Sequence, residues 1–398
     1  IVNPMRYIFL FALLVVLGCS NDSDPAADKA SFTHIYDNNK FNATYYPIDI
    51  KQTPDGGYLI LGGRRLENSN FAGIYLLKVD AFGGFVSEVE VDDELVAPIG
   101  PLMLNNNNYY FFCMTNVGLQ TQLVRVDGDG LITDQFAVGN SYPAAAAADG
   151  NNFLLQSYNH VDKRSVVSVV SPTGSVSSSK EFSIGAGDAV EEPIINHFLQ
   201  TSKKLPFLVG KVGNTYYFNG FYNYTLSLAF TNLSADEPQG IVQGQQDDGG
   251  ISQAVPLDGG KFALARFNFG DNYFLPSATV STSGISSSSD LGGNPLPELT
   301  PNASVKILRT TINARNVVLY ASDTRSKQIA LFGYDEATGT FIGSKYLGFS
   351  NPFEIASIAT TDDGGLAVCG TTYVAGRFTR ICLFKISQQE LAEAFKGF

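Results

Sequence analysis

The chain of 398 residues is poor in the side chains from which most metal and catalytic sites are built. It contains three histidines, four cysteines and no tryptophan. His34, His160 and His197 have no histidine or cysteine partner at the spacing that zinc ligands use, so we expect each at a surface or strand position. A Gly-x-Ser-x-Gly nucleophile motif and a phosphate-binding glycine loop are also missing. The sequence therefore predicts no catalytic residue, no metal and no cofactor.

Positive charge is also scarce. The chain has 26 Lys and Arg against 38 Asp and Glu, which gives a formal charge of -12. Nucleic-acid backbones are bound through clustered Lys and Arg, so we exclude nucleic acid as a partner. Adjacent acids in polar stretches are usually solvated, and we expect this of four groups: Asp92-Asp93-Glu94, Glu191-Glu192, Asp236-Glu237 and Asp247-Asp248.

No apolar run reaches the roughly 20 residues that a membrane-spanning helix needs. The run from Tyr7 to Leu17 is shorter, follows Met5-Arg6 and ends at Gly18-Cys19. One Arg, an apolar stretch, a small residue and a cysteine form the layout of a lipoprotein export signal. We predict a signal peptide over residues 1–18, lipid attachment at Cys19 and a flexible tether over residues 19–30, so that the membrane is a partner through the lipid.

Glycine and aromatic residues are abundant, with 39 Gly, 19 Tyr and 29 Phe. This mixture is typical of many short strands joined by tight turns. One hairpin pattern occurs twice, at Asp55-Gly56-Gly57 and at Asp363-Gly364-Gly365. In both copies an apolar strand follows, and a second strand then ends in an apolar-Lys-apolar step.

Weaker copies of this hairpin lie between the two, and they bring the total to seven units. Their turns begin near residues 55, 107, 149, 213, 258, 315 and 363. The mean step of about 50 residues is in the range of one four-stranded propeller blade. We predict an all-β fold, a single β-propeller of seven four-stranded blades, with six or eight blades as variants. A solenoid or a pair of β-sandwiches is the alternative.

The two ends of the predicted propeller, residues 31–387, complement each other. The last unit lacks an outer strand, and residues 31–37 offer one directly before the first inner strand. We predict that residues 31–37 pair with the last unit and close the ring. Residues 388–398 are predicted to form a short helical tail. Residues 281–297, rich in Ser, Gly and Pro, are expected to form a long exposed loop.

The two terminal hairpins resemble those of β-propeller proteins and lipoproteins exported by Bacteroidota. The acidic stretch Ser20-Asn21-Asp22-Ser23-Asp24 resembles the signal that sends lipoproteins of this group to the outer face of the outer membrane. This resemblance implies lipid anchorage in the outer membrane, facing the cell surface or the periplasm. Kelch, WD40 and quinone-dependent propellers rely on tryptophan, which this chain lacks.

One loop and two cysteines could carry chemistry. Residues 126–132 resemble the middle of an EF-hand loop, but Arg125 and Phe136 occupy its first and last ligand positions, so we expect a turn.

Cys369 and Cys382 would face each other if the last hairpin turned at Ala375-Gly376, which makes them a candidate disulfide pair. Two buried free thiols are the equal alternative, because a longer loop would shift the register.

Two function classes fit these observations. The first is a non-catalytic propeller that binds a protein, peptide or glycan, or acts as a scaffold, at the cell envelope. The second is an exported hydrolase or lyase acting on glycans, with acids from several blades meeting at the mouth of the central channel. Three or more charged side chains converging on one mouth would favour the enzyme.

Overall fold

The computed structural model describes residues 31–37, 43–374 and 378–397, and these residues form an all-β fold of short antiparallel sheets. The strands follow one another along the chain as four-stranded units, of which the described residues form seven. Units 1 and 2 are joined into one larger sheet by a single residue pair, Gly73 with Val96.

The first four units are simple meanders in chain order. Unit 1 contains β2 (Tyr45–Gln52), β3 (Tyr58–Arg64), β4 (Gly73–Val79) and β5 (Phe85–Glu90). Unit 2 contains β6 (Leu95–Asn105), β7 (Asn108–Thr115), β8 (Gln120–Val126) and β9 (Ile132–Ser141). Unit 3 contains β10 (Pro143–Asp149), β11 (Asn152–Asn159), β12 (Arg164–Val170) and β13 (Val176–Ser183). Unit 4 contains β14 (Leu208–Val212), β15 (Thr215–Tyr222), β16 (Thr225–Thr231) and β17 (Gly240–Gln243).

The last three units depart from this order at two places, described below. Unit 5 contains β18 (Gly249–Pro256), β19 (Lys261–Asn268), β20 (Asp271–Thr279) and β22 (Asn294–Pro295). Unit 6 contains β23 (Val305–Ile312), β24 (Arg315–Asp323), β25 (Ile329–Asp335) and β26 (Phe341–Leu347). Unit 7 contains β27 (Phe353–Thr360), β28 (Leu366–Val374), β29 (Phe378–Ile386) and β1 (Phe32–Tyr36). The described residues also form two α-helices, α1 (Asp188–Phe198), between units 3 and 4, and α2 (Gln388–Ala394).

Strand β1 supplies the outer strand of unit 7. It pairs antiparallel with β29, from Phe32 opposite Lys385 to Tyr36 opposite Ile381. At the end of β1, the buried Arg380 donates from Nε to Asp37 Oδ1 at 3.0 Å and from Nη1 to the Ala43 carbonyl at 2.6 Å. The pairing predicted for residues 31–37 is therefore present, and α2 lies within the predicted helical tail.

The repeated Asp-Gly-Gly hairpin is held together by a buried lysine. Lys78, which is 2% exposed, reaches from β4 to the turn between β2 and β3 and donates to Thr53 Oγ1 at 2.9 Å and Asp55 Oδ2 at 2.7 Å. Lys385 of β29 makes the same contact with Asp363 Oδ1 at 2.9 Å. In both copies the lysine of the apolar-Lys-apolar step thus donates a hydrogen bond to the aspartate of the Asp-Gly-Gly turn.

The second glycine of this turn is required by the lysine. A Cβ atom at Gly57 would lie 2.7 Å from Lys78 Nζ and 2.3 Å from the Val79 carbonyl oxygen. At Gly365 the corresponding distances to Lys385 Nζ and the Ile386 carbonyl are 2.2 and 2.4 Å. A larger residue would therefore displace the ammonium group from the turn, which explains the glycine without any role in ligand binding.

The segment that resembles an EF-hand is a hairpin turn, as predicted. Asp127 Oδ1 accepts from the N–H groups of Asp129 and Leu131 at 3.0 and 2.9 Å, and Gly130 N donates to the Asp127 carbonyl. Asp80 makes the same contacts with Phe82 and Gly84 in unit 1. The carboxylate satisfies main-chain donors of the turn, which is the usual role of Asp at such a position.

Each pair of neighbouring units shares an apolar cluster. Units 1 and 2 share Leu61 and Phe111, units 3 and 4 share Phe182 and Phe218, and the other consecutive pairs follow the same rule. A further cluster lies between unit 7 and unit 1, where Ile381 packs with side chains such as Ile60. The first strands of the units, called the central strands here, also contact one another in turn, from β2 through β6, β10, β14, β18, β23 and β27 back to β2.

Phenylalanine, tyrosine and polar side chains dock the units in the absence of tryptophan. The rings of Phe274 and Tyr320 stack at 4.3 Å between units 5 and 6, and the Tyr320 hydroxyl donates to the Leu264 carbonyl at 3.2 Å. Between units 4 and 5, Asn219 Nδ2 donates to the Ile251 carbonyl at 2.7 Å. Aromatic rings thus supply apolar contact between units, and side chains supply hydrogen bonds to the main chain of the next unit.

Residues 281–297 are more ordered than the exposed loop predicted for them. Strand β21 (Gly284–Ser287) pairs in parallel with β17 of unit 4, and β22 closes the edge of unit 5 opposite Tyr273 and Phe274. The serine-rich composition favoured a loop, but a main-chain ladder to a neighbouring unit depends on no particular side chain. Among the described residues, no helix is both long and apolar enough to cross a membrane.

We predict that removal of β1 destabilises the whole chain. A variant lacking residues 1–37 should melt several degrees below one lacking residues 1–30, because it loses the β29 pairing and the Asp37 carboxylate that accepts from the buried Arg380. Thermal unfolding followed by circular dichroism measures the difference. Equal melting temperatures would show that β1 contributes nothing to the fold.

A second prediction concerns the Asp55–Lys78 contact and its pH dependence. Burial acts to raise the Asp55 pKa, but hydrogen bonds from Lys78, Thr53 and the Gly57 N–H outweigh it and lower the pKa to about 2. This group therefore adds stability above pH 4 that is lost as the pH falls through 2. Asp55→Asn should unfold at lower denaturant than the parent at pH 7, and the difference should shrink between pH 4 and 2.

The matched control for this variant is Asp362→Asn. Asp362 is exposed at the other Asp-Gly-Gly turn, where its main-chain N–H donates to Gln52 Oε1. Its denaturation midpoint should follow that of the parent at every pH. A difference between Asp55→Asn and the parent that stays constant down to pH 2 would contradict the assignment of the pH dependence to the Lys78 contact.

Candidate functional site

A polar cluster lies among the central strands of units 1, 2, 6 and 7. Its centre is Asp49 on β2, which is 6% exposed. Asp49 Oδ1 accepts from Ser357 Oγ of β27 at 2.5 Å, and Asp49 Oδ2 accepts from the Leu102 N–H of β6 at 2.7 Å. Lys51 Nζ lies 3.6 Å from the second oxygen. One carboxylate therefore connects three central strands that are far apart in the sequence.

Lys306 on β23 and Asp323 at the end of β24 extend this cluster into unit 6. Burial lowers the pKa of Lys306, while the charges of Asp49 and Asp323 act to raise it. Burial raises the pKa of Asp323 to about 7, although its Oδ1 accepts from the Ile355 N–H at 2.5 Å. Glu354 is exposed beside this carboxyl group and contributes to the raised pKa. Two acids and one lysine from units 1 and 6 thus act on one another.

A carboxyl group with a pKa near neutrality can exchange protons at physiological pH, which suits general acid or base catalysis. In this cluster the carboxylates also stabilise the fold, because Asp49 accepts hydrogen bonds from β6 and β27 and Asp323 accepts one from β27. Both oxygens of Asp49 are engaged in this way. The hydrogen bond from Ile355 engages only Oδ1 of Asp323, so its Oδ2 is the oxygen of this cluster that could carry a proton or contact a ligand.

A cap segment, residues 184–207, covers one end of units 1 to 5. Its helix α1 buries Val190, Ile194 and Phe198 against side chains from these units, among them Met114 and Phe267. The cap segment connects unit 3 to unit 4 along the chain, and it also forms hydrogen bonds with unit 1. Gln200 Nε2 donates to the carbonyls of Leu66 and Ser69 at 2.9 and 2.7 Å.

Glu191 of α1 fixes the cap segment to unit 3. Its Oε1 accepts from the Tyr158 hydroxyl at 2.6 Å and lies 2.5 Å from His160 Nδ1, while Lys163 Nζ lies 3.3 Å from Oε2. Burial acts to raise the Glu191 pKa, but these hydrogen bonds outweigh it and lower the pKa. The prediction of a solvated surface is wrong for Glu191, because the helix turns it towards unit 3.

The histidines serve the structure in different ways. His34 is exposed on β1 and His160 is exposed beside Glu191, as predicted. The expectation of a surface or strand position is wrong for His197, which lies in α1 between the rings of Phe198 and Phe207. Its Nδ1 accepts from the Leu205 N–H at 2.8 Å, and burial with the nearby Lys204 charge lowers its pKa to about 3.

The other predicted surface acids lie at the surface. Asp93 contacts Arg64 at 2.5 Å and Asp236 contacts Lys180 at 2.6 Å, and both acids are exposed. Glu237 accepts from the Tyr222 hydroxyl. The remaining members are exposed or half-buried in the links between strands: Asp92, Glu94, Glu192, Asp247 and Asp248. The charged residues that lie close together in the structure, Asp49, Lys306 and Asp323, were not identified from the sequence.

The predicted register of the last hairpin is wrong by one residue. Cys369 lies opposite Leu383, and Cys382 lies opposite Gly370. Three residues, 375–377, separate the paired ends Val374 and Phe378, whereas the prediction required a two-residue turn. The shift puts the thiols on opposite faces of the sheet, Cys369 towards unit 1 and Cys382 towards unit 6. Both are free and buried, as is Cys113. Cys19 lies outside the described residues.

A cleft of about 500 Å³ opens between units 5 and 6 at the end opposite the cap segment. Glu336 lines this cleft and accepts two hydrogen bonds from Arg309, from Nε to Oε2 at 2.9 Å and from Nη2 to Oε1 at 2.5 Å. Arg315 and Asp335 face each other at 3.5 Å. The cleft therefore offers both donors and acceptors to a polar ligand. In the part of the chain that the structure describes, no group of three His, Cys, Asp or Glu could hold a metal ion.

Comparison with known proteins gives likeness in fold alone. No protein-family profile matches the chain, and no curated protein matches its sequence. A Bacteroides caccae protein of unknown function is 12% identical with a TM-score of 0.39, over 73% of this chain and 94% of that one. The β-propeller domain of the trilobed protease from Pyrococcus furiosus is 8% identical with a TM-score of 0.48, over 88% of this chain and 97% of that one. Raptor from Chaetomium thermophilum is 9% identical with a TM-score of 0.47, over 86% of this chain and 28% of that one.

The raised pKa of Asp323 generates a prediction for stability. The native state keeps this proton up to about pH 7, whereas the unfolded chain loses it near the ordinary value of 3.8. The contribution of this group to stability is therefore full below pH 4 and lost as the pH rises to 7. Asp323→Asn keeps an oxygen to accept from Ile355 and cannot ionise, so its stability relative to the parent should rise between pH 4 and 8.

Denaturant unfolding at each pH measures this change, and Asp362→Asn again serves as the control with no expected trend. A free-energy difference between Asp323→Asn and the parent that is the same at pH 4 and pH 8 would show that Asp323 ionises in the native state as it does in water.

Proposed function

We propose that the chain is a closed seven-bladed β-propeller in which β1 completes the last blade. The proposal is supported by the seven four-stranded units, by the apolar cluster between units 7 and 1, and by the unbroken series of contacts among the central strands. A ring of this kind buries both faces of every blade and leaves few open sheet edges. Hydrogen bonds between units, such as those that Asp49 accepts, take the place of the tryptophan contacts used by other propellers.

We further propose that this propeller is a lipoprotein held in the outer membrane through Cys19. The support is the sequence layout from Met5 to Cys19 and the acidic stretch that follows it. The chain enters the described structure at Ser31, whose hydroxyl donates to Glu390 of α2 and accepts from the Ser387 N–H at 2.9 Å. The tether therefore leads directly to the seam between the first and last units.

The function that the geometry supports best is non-catalytic binding or scaffolding at the cell envelope. The observation that supports this is the environment of Asp49. Both oxygens of its carboxylate accept hydrogen bonds from other central strands, so neither is available for a reaction. The cap segment covers one end of units 1 to 5, and the cleft between units 5 and 6 offers a polar surface at the other. A protein, a peptide or a glycan are the ligand classes that such a surface would bind.

A second candidate is a glycan hydrolase or lyase with its site among the central strands. The observations in its favour are the convergence of the charged side chains of Asp49, Lys306 and Asp323, and the raised pKa of Asp323, which lies near 7. Glycosidases use a carboxylic acid and a carboxylate on either side of the bond that breaks. Asp323 would be the acid in such a site, and Asp49 is already committed to β6 and β27.

The two functions can be separated in one assay on the full-length chain. Envelope polysaccharide and peptide fractions are incubated with the immobilised protein, and both retention and product release are measured. Binding without any new reducing end, unsaturated sugar or peptide fragment supports the binding protein. Product formation that disappears in Asp323→Asn and persists in Asp362→Asn would contradict it and support the enzyme.

The same preparation tests the anchor. A labelled fatty acid supplied to the expressing cells should be incorporated into the parent and not into Cys19→Ala. Equal incorporation into the two proteins, or none in the parent, would contradict lipid attachment at Cys19.

A further inference from the structure

An exposed aromatic patch lies at the end of the molecule where the proposed tether joins Ser31. Phe82 is 72% exposed, Phe85 is 59% exposed and Val86 is 51% exposed, all in the turn and outer strand of unit 1. The rings of Phe32 and His34 on β1 lie directly against Gly83 of the same turn. We call these five residues the anchor-end patch.

The patch is built across the seam between units 1 and 7. The Tyr36 hydroxyl donates to the Gly83 carbonyl at 2.9 Å, which fixes the turn of unit 1 against β1. The rings of Phe32 and His34 meet edge to face at 5.2 Å. Asp80 holds the turn through the N–H groups of Phe82 and Gly84, both at 2.8 Å. Phe82 is therefore presented by a rigid turn.

The distance from the lipid to this patch is short. Residues 19–30 number twelve, and a fully extended chain of that length spans at most about 40 Å. They lead to Ser31, which is adjacent to Phe32 of the patch. A lipid at Cys19 would therefore keep the anchor-end patch nearer to the bilayer than the loops at the opposite end of the units.

The chemistry of the patch suits a neutral membrane interface. Aromatic and aliphatic side chains gain free energy on leaving water for the boundary between headgroups and acyl chains. The chain carries a net charge of -12, so attraction to an anionic surface is not available to it. Contact through this patch should therefore depend on apolar burial and be insensitive to salt.

We infer that the anchor-end patch seats on the lipid surface, so that the lipid at Cys19 holds the protein and Phe82, Phe85 and Val86 set its orientation. This inference rests on the lipid anchorage proposed above. It places the seam of units 1 and 7 on the membrane and turns the cap segment and the distal loops away from it.

The absence of tryptophan allows a direct test. Phe82→Trp gives the only tryptophan in the chain, and Phe269→Trp is the matched control, because Phe269 is 65% exposed in the turn between β19 and β20. Each full-length, lipid-modified variant is reconstituted into phosphatidylcholine vesicles with and without brominated acyl chains. Flotation reports attachment, and quenching of the tryptophan emission reports depth.

The inference predicts that both variants float with the vesicles. Brominated lipid should quench Phe82→Trp several-fold more strongly than Phe269→Trp, with a blue-shifted emission that high salt does not reverse. Flotation with equal or no quenching would overturn the seating and leave the lipid anchor intact. Failure to float would overturn the anchor and the seating together. A blue shift of Phe82→Trp in solution that grows with protein concentration would identify a contact between copies and also overturn the seating.

Discussion

The Asp49 carboxylate holds together parts of the chain that are separated by up to 308 residues. One oxygen accepts from Ser357 of the last unit and the other from the Leu102 N–H of the second unit. Burial of a carboxylate is costly in free energy unless its oxygens accept hydrogen bonds, and here they accept from the central strands of the second and last units. The pairing of β1 with β29 and the apolar cluster between units 7 and 1 depend on the same alignment.

The neighbouring units dock without the tryptophan that many propellers use. Stacked rings such as Phe274 on Tyr320 supply apolar contact, and side chains such as Asn219 supply hydrogen bonds to the main chain of the next unit. Polar docking of this kind fixes the register between units, because a shifted neighbour would leave buried donors unpaired. It also accounts for the buried polar residues of the central strands without assigning them a reaction. Asp323, at the end of the second strand of unit 6, differs from them, because burial raises its pKa to about 7 and its carboxyl group can exchange a proton near neutrality.

Local patterns predicted the parts of the fold that depend on local contacts. The Asp-Gly-Gly turns, the turn at Asp127 and the outer strand at residues 31–37 could be identified because each has a short sequence signature or a missing partner. The register at Cys369 was wrong because it depends on the length of one loop, and β21 was missed because its ladder needs no particular side chain. Lys306, Asp323 and Asp49 could not be associated from sequence, since their spatial neighbours lie on strands of different units. The cap segment was likewise missed, because its apolar contacts are spread over five units.

The central claim is that β1 and β27 join a closed ring and share its stability. Native-state hydrogen exchange at increasing denaturant tests this directly, because it measures the free energy at which each strand opens. In a closed ring, amides of β1, β2 and β27 should exchange with the same free energy and denaturant dependence as those of β11 and β15. Exchange of β1 and β27 through a separate opening of lower free energy and shallow denaturant dependence would show that the seam is not part of a closed, cooperative ring.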